Sequence, residues 1–282
     1  MKEGIIFDIK QMALFDGPGL RQTVFLKGCP LHCSWCQNPE GMSPHPELMV
    51  SWASCIHCHA CEQACLHPEK CIVCGQCIPV CPLNLRHITG ERITSEALVS
   101  RILKDCAYYE RYGGGVTFSG GEPLLQGAFL LEVMGMIPQI HRAMETSGYC
   151  ERALFKEVVD RLDFVIMDIK MMDAAKHQQY CGVDNKKILA NAEYLFGSGK
   201  PFIIRIPVIP GVNDSNANFR DTAAFLRGVK NLQQVELLHY NQAAGAKYSM
   251  VGKQYLPDFD LNKKANMDQK AFWDAGIRST TL

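Results

Sequence analysis

The chain has 282 residues, of which 47% are apolar, so it can bury one large core or two smaller ones. Lysine plus arginine and aspartate plus glutamate number 29 each, and this balance excludes a net field that would attract nucleic acid or an acidic membrane. The N-terminal residues lack the apolar region of a signal peptide, and no segment has the roughly 20 apolar residues of a membrane span. We therefore expect a cytoplasmic protein with neither nucleic-acid nor membrane partners.

Strands alternate with helices in the predicted secondary structure. The predicted strands are residues 5–9, 23–26, 115–118, 142–145, 164–168, 202–208 and 234–239. The predicted helices are residues 95–111, 123–136, 151–161, 186–197 and 216–228. Strand–helix units that recur about every 25–40 residues favour parallel pairing with crossover helices. Six units, counted from residue 23, predict an α/β fold with a partial (β/α)6 TIM-type barrel, open on one side.

Loop-forming and polar residues stand where three predicted strands end, in the stretches SGGEP, ETSG and DIK. The carboxyl ends of parallel strands meet at one rim, where α/β proteins place their sites. A cysteine-rich segment separates the first strand–helix unit from the second. We therefore predict a barrel made of residues 1–50 and 85–282, with residues 51–84 inserted into a rim loop.

Cysteine is the most informative residue type, because the chain has 14 of them. In a reducing compartment such a number indicates metal ligation or redox chemistry rather than disulfides. Eleven lie between Cys29 and Cys81. The other three, Cys106, Cys150 and Cys181, are expected to be small buried hydrophobes.

The inserted segment contains the spacing C-x2-C-x2-C-x3-C twice. The first run is Cys55, Cys58, Cys61 and Cys65, and the second is Cys71, Cys74, Cys77 and Cys81. This doubled spacing is typical of two-cluster ferredoxins, in which the fourth cysteine of each run ligates the other cluster. Leu66 stands where a proline is expected and only five residues separate the runs, so the exchange of fourth ligands stays open. The alternative is a zinc scaffold.

A third cysteine motif, C-x3-C-x2-C, follows the strand at residues 23–26 and consists of Cys29, Cys33 and Cys36. Because the insertion has two complete sets of its own, this triad lacks a fourth thiolate nearby. An open coordination position marks a reactive metal site. The alternative is that Cys106, Cys150 or Cys181 completes the set.

The triad resembles the signature of the radical S-adenosylmethionine (SAM) superfamily. Residues 16–40, DGPGLRQTVFLKGCPLHCSWCQNPE, are similar to the signature of glycyl-radical-enzyme activating enzymes, in particular those with a two-cluster ferredoxin insert. The resemblance implies three 4Fe-4S clusters and SAM as cosubstrate, with SAM chelating the open iron of the triad cluster.

Site residues are implied by the same resemblance. The family's GGE motif is matched by Gly120, Gly121 and Glu122, and the Glu122 carboxylate would accept a hydrogen bond from the methionine ammonium. Adenine would lie near Trp35 and Asn38.

Further polar residues stand at predicted strand ends. Lys170 and Arg205 would hold the cosubstrate's carboxylate and ribose, and His239 would lie near the adenosyl group. A monovalent cation would sit at Glu145, Thr146 and Asp168, although Glu145 is longer than the expected aspartate. Asp16 and Arg21, in the turn DGPGLR, would contact the partner's peptide.

The implied function is activation of a partner glycyl radical enzyme. SAM would be cleaved reductively, and a partner glycine would lose a hydrogen atom, with flavodoxin or ferredoxin as the electron donor. One alternative is a radical SAM peptide-modifying enzyme, although such enzymes carry their additional cysteines after the barrel. The other is an iron–sulfur electron carrier without catalysis.

Overall fold

The computed structural model describes all residues, Met1–Leu282, and contains one nine-stranded and one two-stranded sheet. The strands are β1 (Glu3–Ala13), β2 (Arg21–Leu26), β3 (Glu47–Val50), β4 (Arg86–Thr89), β5 (Glu91–Thr94), β6 (Gly115–Gly120), β7 (His141–Thr146), β8 (Phe164–Asp168), β9 (Phe202–Val208), β10 (Leu232–His239) and β11 (Ser279–Thr281). The large sheet has the order β11-β10-β9-β8-β7-β6-β2-β1-β5.

Six parallel strands form the centre of the large sheet, namely β2 and β6 to β10. The six strands predicted from residue 23 onward are therefore confirmed. Strand β11 pairs parallel with β10 and extends the parallel set to seven strands. It was not predicted, because a strand of three residues leaves too short a pattern in the sequence. At the other edge β1 pairs antiparallel with both β2 and β5.

The helices that accompany the parallel strands cover one face of this sheet, and one further short helix lies in the cysteine-rich segment. They are α1 (Ala60–Gln63), α2 (Ser95–Leu103), α3 (Cys106–Tyr112), α4 (Gly127–Met136), α5 (Arg152–Asp160), α6 (Ala174–Cys181), α7 (Lys186–Gly197), α8 (Asn216–Leu226) and α9 (Lys270–Asp274). None of them has the length and apolar character that a membrane crossing requires.

Two predicted helices differ from those observed. The helix predicted over residues 95–111 is two helices, because Asp105 leaves helical geometry at the N-cap position of α3, where its carboxylate accepts a hydrogen bond from Gln22 Nε2 at 2.9 Å instead of capping the helix. The helix predicted from residue 123 begins with a 3-10 turn, Pro123–Gln126, before α4. Helix α6 was not predicted.

The two faces of the sheet differ in character because side chains alternate along each strand. One set, including Phe118, Met144 and Ile204, joins the helices in a core cluster of 39 buried residues. The opposite set carries Ser119, Glu145, Asp168, Arg205 and Glu236, beside a small apolar cluster of Ala143, Phe164, Ile166 and Ile203. The face away from the helices is therefore polar near the carboxyl ends of the strands.

The cysteine-rich segment is held at its base by β3 and β4. These strands pair antiparallel, with Val50 opposite Arg86, so the two ends of residues 51–84 lie side by side. Inside the segment the two cysteine runs share a local geometry: the amide of His57 donates to Cys55 Sγ, and that of Val73 donates to Cys71 Sγ, both at 3.4 Å. His57 and Val73 both have positive φ, which is uncommon for such residues.

Candidate active site

The loop that carries Cys29, Cys33 and Cys36 leaves the carboxyl end of β2. Its start is fixed by the amides of Gly28 and Cys29, which donate to Gly41 O at 2.8 Å and Met42 O at 3.0 Å. Its middle is fixed to the end of α6, where the amides of His32 and Ser34 donate to the carbonyls of Cys181 and Tyr180. The backbone around the triad is therefore anchored on both sides.

The three thiols suit an iron–sulfur cluster in their chemistry. All are free and lie within one eight-residue stretch of the loop, as a shared cluster requires. Burial raises the pKa of Cys29, and it raises the pKa of Cys36 to about 11. The structure has no group of three or more Cys, His, Asp or Glu side chains arranged to hold a single metal ion.

Of the three cysteines outside the motifs, only Cys181 is fully buried. It belongs to the small apolar cluster against which Cys33 packs, and the interaction of the two thiols lowers the pKa of Cys33 and raises that of Cys181. Cys106 and Cys150 are half-buried and pack against the main core. The prediction of a buried hydrophobe thus holds for Cys181 but misses its contact with the triad.

The GGE motif packs directly on this loop. A Cβ at Gly121 would lie 2.2 Å from Gly28 O and 2.5 Å from Gly41 O, so only glycine permits the approach. The amide of Glu122 donates to Gly28 O at 2.8 Å, and Gly120 has a φ of +118°. The glycines therefore let two backbone segments touch, and they place the GGE turn beside the cysteine loop.

The Glu122 carboxylate is 1% exposed and accepts four hydrogen bonds from the protein itself. Its Oε1 accepts from Leu124 N (3.2 Å) and Thr146 Oγ1 (2.6 Å), and its Oε2 accepts from Ser147 N (2.8 Å) and Ser147 Oγ (2.5 Å). Burial raises the pKa of Glu122. Since a carboxylate offers about four lone-pair sites, no acceptor remains for a ligand ammonium unless one of these bonds opens.

Arg205 forms a second buried network on the polar face. Its Nη1 donates to Glu145 Oε1 at 2.6 Å, its Nε to Glu236 Oε2 at 2.8 Å, and its Nη2 to Phe15 O. Burial alone would lower the pKa of Arg205, but Glu145 and Glu236 outweigh it and raise the pKa. The guanidinium predicted to hold the cosubstrate is paired with carboxylates of neighbouring strands.

Asp168 and Lys170 form a third group, with Lys170 Nζ 2.6 Å from Asp168 Oδ2. Burial disfavours the charged form of Lys170, but the charges of Asp168 and Cys33 outweigh it and raise the pKa. Burial, and then repulsion from Glu145, raise the pKa of Asp168. Asp168 and Lys170 of the predicted DIK stretch therefore lie close enough to the triad for their charges to interact with it. Thr146, which was predicted to share the cation site with Glu145 and Asp168, instead donates its hydroxyl to Glu122.

The remaining residues predicted to contact the cosubstrate occupy different surroundings. Trp35 is buried in a small apolar cluster that includes Leu31 and Cys181. Asn38 Oδ1 accepts from Lys247 Nζ at 3.2 Å. His239 is exposed, and its amide donates to Leu282 O.

Arg21 requires a correction. It is 1% exposed and lies at the amino end of β2, where its guanidinium donates to Thr117 Oγ1 at 2.6 Å and to Pro18 O at 2.8 Å. Burial lowers its pKa to about 10. It braces the DGPG turn from inside and has no surface that could touch another chain. Asp16, by contrast, is half-buried and accepts from Thr23 Oγ1 at 2.5 Å.

Sequence reasoning missed a set of lysines that hold the cysteine loop. Lys27 is fully buried, and its Nζ donates to Glu40 O at 2.6 Å and to Glu47 Oε2 at 2.7 Å. Lys247 Nζ lies 2.5 Å from Glu40 Oε1, and Lys253 Nζ donates to Pro39 O at 3.0 Å. A lysine within the apolar run TVFLKG was a signal for Lys27; no pattern marked the other two.

In the insertion, a cavity is lined by Cys55, Cys58, Cys61 and Cys81. These are the four cysteines of the first ligand set predicted for crossed ligation. Trp52, Ile56 and Leu83 also line it, so thiols and apolar side chains surround the same space.

A family model described as a 4Fe-4S single cluster domain matches residues 15–189. The 4-hydroxyphenylacetate decarboxylase activating enzyme of Clostridioides difficile (strain 630) is 36% identical, over 98% of this chain and 95% of that protein. The (2S)-3-sulfopropanediol dehydratase activating enzyme of Klebsiella oxytoca is 37% identical, over 93% and 90%. The chain belongs to the radical SAM activating enzymes of glycyl radical enzymes.

Structural comparison agrees with this family. A domain of the pyruvate-formate lyase-activating enzyme from Bacteroides vulgatus ATCC 8482 superimposes with a TM-score of 0.50 at 30% identity, covering 60% of this chain and 99% of that one. The predicted family and activity are confirmed: this activating enzyme is an oxidoreductase that cleaves SAM to generate a radical on a glycyl radical enzyme. A 4Fe-4S cluster and SAM are the groups on which that activity depends.

Proposed function

We propose that Cys29, Cys33 and Cys36 hold the catalytic 4Fe-4S cluster and that SAM binds between this loop, the GGE turn and the Asp168–Lys170 pair. When bound, the cluster would supply one electron for cleavage of the S–C5′ bond of SAM to methionine and a 5′-deoxyadenosyl radical, which would take a hydrogen atom from a glycine Cα of the partner and leave as 5′-deoxyadenosine. The contact of Gly121 with Gly28 and Gly41 carries this proposal, because it fixes the GGE backbone against the triad loop.

The chain's own residues would orient the cosubstrate. Gly120 and Gly121 present backbone beside the triad, while Glu122 holds that turn to the end of β7. Lys170, close to Cys33, supplies a positive charge for the SAM carboxylate. Placing the reacting groups in fixed geometry is the main contribution that a protein makes to such a step.

Other predicted contacts remain proposals. Trp35, Asn38 and His239 would border the adenosyl group, and Glu145 with Asp168 would supply oxygen ligands for a monovalent cation. Arg205 would contribute by holding Glu145 at this position. Asp16, which keeps part of its surface exposed, is the candidate contact for the partner's glycine-bearing peptide.

We further propose that the large sheet curves into a partial barrel formed by residues 1–50 and 85–282, and that residues 51–84 form a ferredoxin-like unit with two 4Fe-4S clusters. The repeated amide–sulfur contacts at Cys55 and Cys71 support two equivalent cluster loops. The cavity lined by Cys55, Cys58, Cys61 and Cys81 supports crossed ligation. The second set would be Cys65, Cys71, Cys74 and Cys77. These clusters would relay electrons from a cytoplasmic flavodoxin or ferredoxin.

The proposal is tested by anaerobic reconstitution, reduction with dithionite and quantification of 5′-deoxyadenosine. The wild-type chain should release it from SAM, and Cys33→Ala should not, whereas Cys106→Ala, outside the site, should behave as wild type. Co-incubation with the partner should give a glycyl EPR doublet. Nucleoside release without that doublet would favour a peptide-modifying enzyme, and no release at all would favour an electron carrier.

A further inference from the structure

The loop that follows β10 is folded onto itself; we call residues 240–255 the β10 loop. Its two ends meet where the hydroxyl oxygens of Tyr240 and Tyr255 lie 2.7 Å apart. The ring centroids of Tyr248 and Tyr255 are 4.8 Å apart, and a Cβ at Gly245 would lie 2.5 Å from Tyr255 Cδ1. These contacts make the β10 loop a packed unit rather than an extended connection.

The β10 loop crosses the carboxyl rim of the sheet and reaches the loop that carries the triad. The triad loop starts after β2, and β2 and β10 stand at opposite ends of the row of six parallel strands. Asn241 Nδ2 donates to Gln37 Oε1 at 3.0 Å, and Lys253 Nζ donates to Pro39 O at 3.0 Å. The β10 loop therefore contacts the residues that come directly after Cys36.

Lys247 makes two further contacts with the same stretch. Its Nζ donates to Asn38 Oδ1 at 3.2 Å and to Glu40 Oε1 at 2.5 Å. Glu40 is 5% exposed, so this ion pair is partly shielded from water. Because an ammonium group has donors only, the Asn38 atom that faces it is the amide oxygen. The NH2 group of the half-buried Asn38 lies on the other branch of the amide and donates to no residue of the chain.

An NH2 group held in one orientation favours a ligand atom that can only accept a hydrogen bond. The ring nitrogens N1, N3 and N7 of adenine are such atoms. The ribose hydroxyls both donate and accept, so they would suit either end of an amide. Since Asn38 is proposed above to border the adenosyl group of SAM, its orientation would affect contacts with the adenine ring.

We propose that Lys247 is a positioning residue that holds the Asn38 amide so that its NH2 group donates to a ring nitrogen of the SAM adenine. The proposal rests on the function proposed above, because it requires SAM to bind beside the triad loop. Without Lys247 the amide is free to turn by 180° and to present its oxygen, which cannot donate to a ring nitrogen. Lys247 thereby sets which end of Asn38 the cosubstrate meets.

The test is anaerobic equilibrium dialysis of the reconstituted, oxidised full-length enzyme, which does not cleave SAM. The ligands are SAM and three analogues in which CH replaces N1, N3 or N7 of the adenine. Wild type should bind SAM about tenfold more tightly than one of these analogues, which is the loss expected for one hydrogen bond.

The variants separate the lysine from the amide. Lys247→Met frees the amide, and Asn38→Asp keeps an oxygen for Lys247 but loses the NH2 group. Both should reduce the affinity ratio to about twofold or less. Lys247→Arg, which keeps a cationic donor, should retain the ratio, as should Lys264→Met, an exposed control. A general loosening of the triad loop would weaken SAM and its analogues alike and would leave the ratio unchanged.

The proposal is overturned if wild type binds SAM and all three analogues equally, or if Lys247→Met keeps the wild-type ratio. Lys247→Ala gives the same reading if Lys247→Met is insoluble. Loss of SAM binding in Cys33→Ala would support the proposed function in either case. Absence of SAM binding to wild type, or undiminished binding to Cys33→Ala, would contradict the proposed function and the role of Lys247 with it.

Discussion

Replacing Glu122 with glutamine distinguishes a carboxylate that binds the cosubstrate from one that holds the fold. The change keeps the size of the side chain and removes its charge. The four hydrogen bonds at Glu122 come from two hydroxyls and two backbone amides. A glutamine oxygen can accept two of them, and its NH2 group can accept none.

The cost can be estimated from the donors left without a partner. If the glutamine oxygen stays with Leu124 and Thr146, the Ser147 hydroxyl can rotate, but the Ser147 amide cannot. One buried amide loses its acceptor and the charge-assisted character of the other bonds is lost, so we expect a loss of about 2–4 kcal/mol in the free energy of unfolding. For a chain of this size that corresponds to a fall in Tm of roughly 3–7 °C.

The assay is anaerobic thermal unfolding of Glu122→Gln beside the wild type, with SAM affinity measured on both. Ser147→Ala, which removes the hydroxyl that donates to Glu122 and accepts a long bond from Tyr149 N (3.3 Å), should lower the free energy of unfolding by about 1 kcal/mol. Lys186→Gln, at an exposed position, is the surface control and should change little. A variant as stable as wild type that fails to bind SAM would refute this reasoning, because it would make Glu122 a direct ligand contact.

The remaining predictions concern the cysteines, the buried lysine and one glycine. Cys36→Ala should abolish 5′-deoxyadenosine formation and remove about a third of the bound iron, measured by iron analysis, if three clusters are present. Cys55→Ala should lose a similar share of iron yet keep dithionite-driven SAM cleavage; loss of cleavage would contradict a relay role. Lys27→Met leaves Glu47 with only its longer contact to Lys253 (3.6 Å) and removes the donor to Glu40 O, so it should lower the free energy of unfolding by about 3 kcal/mol in denaturant titrations. Gly121→Ala places a Cβ 2.2 Å from Gly28 O, so little soluble, iron-loaded protein should be recovered; normal iron content would contradict the close packing.

The sequence was sufficient for seven of the eleven strands and for the cysteine motifs, because these depend on local patterns, whereas the short strands β3, β4, β5 and β11 were not predicted. Short apolar runs, each followed by a helical stretch, predicted β6 to β10 close to their observed bounds. The helix predicted over residues 95–111 was wrong because a tertiary contact, Gln22 to Asp105, interrupts an otherwise favourable stretch. Such a contact between residues 83 positions apart leaves no local pattern.

Polar site residues were harder to assign, because a motif gives the residue type and not its partners. Glu122 and Arg205 were both expected to face the cosubstrate, and both are engaged by neighbouring side chains. Arg21 was expected at a protein interface and is buried under the DGPG turn. Cys181 had no motif at all, and only the packing of α6 against the triad loop brings it beside that loop.

The measurement that tests the account most directly is electron–nuclear double resonance on the dithionite-reduced enzyme with SAM labelled with 15N at the methionine amino group. Binding at an open iron of the Cys29, Cys33 and Cys36 cluster predicts a 15N coupling to the cluster spin, absent from Cys33→Ala. A reduced cluster that shows no such coupling in the presence of saturating SAM would contradict the assignment of this loop as the SAM-binding centre.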